Sequence, residues 1–204
     1  MADAPLVVMA LQIEEQGAFE RAGVQVLFTG LGKVNAAYIL TRSVVEQRRQ
    51  GRRPLVVNFG TAGSRIHPTG TIVACRHFVQ RDIDLTGLGF QLGETPFEEV
   101  PPELVFDRVF SGLPEGRCGT GDSFETQHGG AACDVVDMEA YALAKVCWLE
   151  GLPFACAKFI TDGADASAAG DWQANLPRAA RSFVDLYRLL VSAPAGAALP
   201  IRQQ

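Results

Sequence analysis

Five stretches of the chain are apolar along most of their length and end in glycine or short polar residues. They are PLVVMAL (5–11), VQVLFTG (24–30), PLVVNFG (54–60), GTIVACRHFV (70–79) and PFACAKFIT (153–161). Several have no polar face, the pattern of strands covered by helices on both sides rather than half open to water. Between them, residues 34–49 carry apolar positions at helical spacing and a basic end, and residues 134–151 form a second such pattern, stopped by Gly151 and Pro153. A third covers 176–192, where Pro177 suits a first helical turn. Alternation of this kind predicts an α/β fold. With 204 residues the chain fits a single domain over 1–204, with a core at about 5–190 and a frayed tail at 193–204.

Composition narrows the function classes. Apolar residues make up 48% and charged residues 20%, enough to bury a sizeable core. The 18 basic and 23 acidic residues leave a net charge of −5, which argues against a protein that tracks nucleic-acid phosphates. No apolar run reaches the length of a membrane span, and the N-terminus MADAPLVVMAL lacks the basic start of a signal peptide, so a cytoplasmic, membrane-free protein is expected. The five cysteines form no C-x-x-C pair and the three histidines show no ligand spacing. Buried reduced thiols are expected, with neither a disulfide framework nor a metal site.

In open α/β sheets, ligands collect beyond the carboxyl ends of the strands. Polar residues follow four of the apolar runs there: Gln12 to Glu15, Leu31 to Asn35, Thr61 to Ser64, and Asp162 to Asp165. Glu139 stands out for another reason. Its helical neighbours Ala142, Leu143 and Val146 are apolar, which turns its carboxylate toward the packed side. An inward carboxylate costs several kcal/mol unless it is paired, and so marks a candidate site. The plainer readings are a first-turn acid that complements the helix dipole, an Asx turn at Asp162, and a solvated turn at Glu14 and Glu15.

Five motifs occur in order: GLGKVNAA (30–37), NFGTAGS (58–64), GTGDSFET (119–126), VVDMEAYALAKVC (135–147) and KFITDGAD (158–165). Together they resemble the nucleoside phosphorylase/hydrolase superfamily, specifically the 5′-methylthioadenosine/S-adenosylhomocysteine nucleosidases. The resemblance implies a three-layer α/β/α sandwich around a mixed, partly barrelled sheet. It implies that Asp162 protonates the leaving purine and that Glu14 positions and deprotonates the attacking water. Glu139 would hold the ribose hydroxyls, Met138 would line the sugar, Phe124 would stack on the base with Glu125 beside it, and Thr61 and Gly63 would form the loop beside sugar and water. Lys158 stands where the family carries an arginine that helps hold the water. Residues 93–118 are shorter than the family's usual stretch, which shapes the 5′ pocket.

The chemistry suits such residues. An N-glycosidic bond breaks through an oxocarbenium-like transition state, so an acid at the base and carboxylates at the sugar stabilise the separating charges. No cofactor is required. The resemblance thus implies hydrolysis of a purine nucleoside by a homodimer whose partner closes the 5′ end of the pocket. Two other readings stay open at this point: a phosphorolytic relative, and a nucleoside-binding protein without catalysis.

Overall fold

The computed structural model describes residues 3–107, 109–123, 132–164 and 168–192. Eight strands are present: β1 (Leu6–Met9), β2 (Val26–Phe28), β3 (Val56–Gly63), β4 (Ile72–Gln80), β5 (Glu103–Val105), β6 (Glu115–Thr120), β7 (Val135–Asp137) and β8 (Phe154–Asp162). Among the described residues five α-helices accompany them: α1 (Gln12–Glu15), α2 (Ala18–Arg21), α3 (Lys33–Arg49), α4 (Ala140–Glu150) and α5 (Ala168–Ser192).

The strands lie in the order β2-β1-β3-β7-β6-β4-β5, and β8 pairs with both β3 and β4. That double pairing closes β3, β7, β6, β4 and β8 into a five-stranded ring, with β2, β1 and β5 outside it. The sheet is mixed: β3 and β8 run parallel, whereas β8 runs antiparallel to β4 and β7 to β3. The fold is thus an α/β/α sandwich around a partly barrelled sheet.

Strand alternation explains the two cores. Val8 and Val56 face one cluster, shared with Leu40 of α3 and with Leu143 and Cys147 of α4. Their neighbours Val7, Met9, Val57 and Phe59 face the other, shared with Phe19 of α2 and Phe183 of α5. There the Phe59 ring stacks on Phe183 at 5.3 Å and meets Phe19 at 5.8 Å. Apolar residues on both faces of β1, β3 and β8 are the direct reason that helices must cover both sides.

Three expectations change. The segment read as one helix from residue 134 begins instead with strand β7, and the helix starts at Ala140. Asp137 makes this break: its Oδ2 accepts the N–H of Ala140 at 2.8 Å, satisfying a first-turn donor with a side chain. Helix α5 starts eight residues earlier than expected, so Pro177 lies inside it rather than in its first turn. The short stretch 93–118 holds β5 and the start of β6, strands too brief or too rich in glycine and charge to show as apolar runs. The tail at 193–204 lies outside the described residues. No helix among the described residues is long and apolar enough to cross a membrane. Cys75, Cys118, Cys147 and Cys156 are buried thiols.

Candidate active site

A cavity of about 250 Å³ opens beyond the ends of β1, β3, β7 and β8. Its wall includes Glu14, Thr61, Gly63, Met138, Glu139 and Asp162, which the structure brings together from four separate stretches of sequence. Phe124 and Glu125 lie outside the described residues.

Glu14 sits on the single turn α1, which ends where Gln16 and Gly17 take left-handed conformations. Its carboxylate is buried and fully engaged on one oxygen. Oε1 accepts the backbone N–H of Thr61 at 2.9 Å and the Thr61 hydroxyl at 2.7 Å, while Oε2 accepts the N–H of Leu11 at 3.1 Å. The neighbouring Glu15 turns away and accepts the N–H groups of Gly17 and Phe19, entering α2.

Asp162 ends β8, and a bulge aims it. Ala62 pairs with Ile160, yet the next residue Gly63 pairs with Asp162, leaving Thr161 as the extra residue. The Thr161 hydroxyl donates to Asp162 Oδ2 at 2.7 Å, and the N–H of Ala164 donates to Oδ1 at 2.9 Å. Gly63 makes room for this carboxylate, because a Cβ there would lie 2.7 Å from Asp162 Oδ1.

Glu139 is the residue that precedes α4, so it is not on the helix face as expected, yet it is buried at 7% exposure. Its Oε1 accepts the N–H of Gly32 at 2.9 Å. Gly32 takes a φ of +88°, and a Cβ there would lie 3.0 Å from Asp122 Oδ1, so the close approach of this loop depends on glycine. Burial, and then the charge of Asp137, push the Glu139 carboxyl up to about 8. Lys158 and the Gly32 N–H pull in the other direction.

Lys158 differs from the expectation that it holds substrate or water. It is not on the cavity wall, being 1% exposed, with its ammonium 2.8 Å from Asp137 Oδ2. The geometric reason is a buried partner: its ammonium meets Asp137, an acid that itself borders the cavity, and so stands one residue behind the wall. Burial alone would lower the Lys158 ammonium, but Asp137, Cys156, Cys118 and Glu139 together outweigh it and hold the group well above its ordinary value. Burial likewise opposes the charge on Asp137, yet Lys158 and the donors from Thr120 and Ala140 keep that carboxyl below its ordinary value.

Three further residues belong to the site. Asp137 borders the cavity and anchors the start of α4, and its signal was an acid embedded in the run VVDME. Arg81 follows β4 directly, lines the cavity, and donates from its guanidinium to the carbonyl of Ser123 at 2.5 Å. Applying the strand-end rule to the fourth apolar run would have found it. Trp172 on α5 lines the opposite wall, and its indole N–H donates to Thr61 Oγ1 at 2.8 Å. Its only mark in the sequence is a lone aromatic ten positions after Asp162. Among the described residues, no group of three or more His, Cys, Asp or Glu could hold a metal ion.

Four carboxylates around an apolar-walled cavity in a ring-closed mixed sheet define a class, and the sequence agrees with it. The profile of the phosphorylase superfamily matches residues 15–192, and the chain belongs to that superfamily. Within it the chain resembles the 5′-methylthioadenosine/S-adenosylhomocysteine nucleosidases. The protein of that name from Buchnera aphidicola is 27% identical over 196 residues, covering 86% of this chain and 81% of its own. The one from an Exiguobacterium species is 30% identical over 176 residues, covering 75% and 73%. The crystal structure of the Helicobacter pylori nucleosidase with butyl-thio-DADMe-Immucillin-A superposes with a TM-score of 0.82 at 20% identity, covering 94% of this chain and 99% of that one.

Proposed function

We propose that the protein hydrolyses the N-glycosidic bond of a purine nucleoside, releasing the free base and a ribose derivative. The observation that carries this reading is the meeting of Glu14, Glu139 and Asp162, from three distant parts of the chain, on one small cavity. Asp162 delivers a proton to the purine as the bond from C1′ to the base nitrogen breaks. Glu14 orients a water toward C1′ and takes its proton as the new carbon–oxygen bond forms. Glu139 accepts hydrogen bonds from the ribose hydroxyls, with Met138 against the sugar, and Thr61 and Gly63 shape the wall between them. By the family motif alone, Phe124 is assigned to stack on the base, with Glu125 beside it. Lys158 acts at one remove, by holding Asp137.

The apolar walls from Leu11, Leu31, Met138 and Trp172 suit an uncharged 5′ substituent, so a methylthioadenosine-like nucleoside is the proposed substrate. The names of the relatives agree with that choice. We place the enzyme in the cytoplasm, in keeping with its buried thiols. It acts as a homodimer: Leu31 and Val34 are exposed beside the cavity mouth, where a second copy would cover them. Sedimentation of a single 22 kDa species at micromolar concentration would refute the dimer.

Phosphorolysis is a second reading because Arg81 puts a guanidinium on the cavity wall, a group that suits phosphate. One experiment separates the two. A panel of purine nucleosides is incubated with and without phosphate, and free base is read by chromatography. Hydrolysis gives base release at the same rate in both, and strict dependence on phosphate would replace it with phosphorolysis.

A further inference from the structure

We infer that Trp172 is a positioning residue: its indole N–H directs the Thr61 hydroxyl onto Glu14 and so fixes the carboxylate that receives the proton of the attacking water. This role rests on the nucleosidase reading above.

The direction of the relay follows from what each group can do. An indole nitrogen donates and never accepts, so the 2.8 Å contact uses a lone pair of Thr61 Oγ1. The hydroxyl has one proton, and its neighbour at 2.7 Å is Glu14 Oε1, which as a carboxylate only accepts. Trp172 therefore donates to Thr61, and Thr61 donates to Glu14. Without the indole N–H, the hydroxyl is free to turn its proton elsewhere.

The consequence for Glu14 is a matter of counting acceptor sites. A carboxylate offers about four lone-pair positions. Thr61 fills two of them, through its N–H and its hydroxyl, and Leu11 fills a third. About one position is left for water, so water meets Glu14 from a single direction. Loss of the hydroxyl bond would open a second position and blur that direction.

Helix α5 is well placed to hold the indole. Asn175, one turn beyond Trp172, donates from its amide to the carbonyl of Thr161 at 3.1 Å and to that of Asp171 at 2.9 Å. The first turns of α5 are thereby tied to the end of β8, beside Asp162. One helix thus reaches the residue before the base-side acid through Asn175, and the threonine bonded to the water-side carboxylate through Trp172.

Trp172→Phe keeps an aromatic wall and removes only the donor. Its kcat on 5′-methylthioadenosine should fall about five- to tenfold, the value of one hydrogen bond, with KM within about twofold and the thermal midpoint nearly unchanged. In a Thr61→Val background the same change should cost nothing further, because the relay is already cut, whereas in Thr61→Ser it should cost the full amount. Thr61→Val against Thr61→Ser on the intact indole reads the relay without touching α5, and only the valine variant should lose kcat. An unchanged kcat in Trp172→Phe, or an equal loss in the valine background, would overturn the role. A loss seen only in KM would make Trp172 a wall and nothing more. A wild-type chain that releases no base from any purine nucleoside overturns the nucleosidase reading itself, and so is told apart from a failure of the relay.

Discussion

Replacing Glu139 with glutamine should change how the stability of the chain depends on pH. The folded chain holds this carboxyl near 8, against an ordinary value of 4.5. Between those two values the folded state keeps a proton that the unfolded state has given up. Stability therefore falls as pH rises through that window, and the loss levels off above about 8. The slope for one proton is about 1.4 kcal/mol per pH unit, so from about pH 5 to pH 7.5 the wild type loses about 3 kcal/mol through this group. Glutamine does not titrate, and its amide oxygen can still accept the N–H of Gly32. Urea unfolding of both proteins at intervals across this range, followed by circular dichroism, gives the difference directly, since the other titrating groups are common to both. Glu139→Gln should gain on the wild type steadily with rising pH. Parallel stability curves would refute the argument, for they would mean that the carboxyl titrates alike in both states.

Three other outcomes are expected. Asp162→Asn should lower kcat by more than about 10²-fold while nucleoside binding persists in a titration, because the amide cannot supply a proton. Lys158→Met should lower stability by about 3–5 kcal/mol in urea unfolding, since it strands the buried charge of Asp137. Gly63→Ala should reduce kcat by about 10²-fold and also lower the thermal midpoint, because the new methyl displaces the Asp162 carboxylate and crowds Ala164 and Val136 at 3.1 and 3.2 Å.

Much of the fold was legible because β1, β3 and β8 are apolar on both faces, and such runs cannot be mistaken for solvated strands. The short strands were not. EGRCGT has a glycine and an arginine where an apolar residue would announce β6, and VVD of β7 runs without a break into a helical pattern. Glu14, Thr61, Gly63, Met138, Glu139 and Asp162 were reachable because strand ends and family motifs point to them. Arg81 and Trp172 were missed for different reasons. Arg81 obeys the strand-end rule but falls in none of the family motifs, whereas Trp172 comes to the cavity through the placement of α5, which no local pattern encodes. Lys158 is a different case. Its motif points to the cavity, while its ammonium pairs with a buried acid on β7, a strand that β8 does not adjoin.

The double pairing of β8 has a consequence for how the molecule is built. This strand comes last in the sequence, yet it sits between β3 and β4, which are sequential neighbours. Until residues 154–162 arrive, the growing chain lacks the partner for one edge of β3 and one edge of β4. Open edges of that kind invite pairing with other chains. Closing them requires contacts across about a hundred residues of intervening sequence, the sort of long loop closure that slows folding. Asp162 travels on the closing strand, so the proton donor is installed by the same event that seals the ring. Before residues 154–162 are made, the chain lacks both Asp162 and the strand that pairs with the two edges.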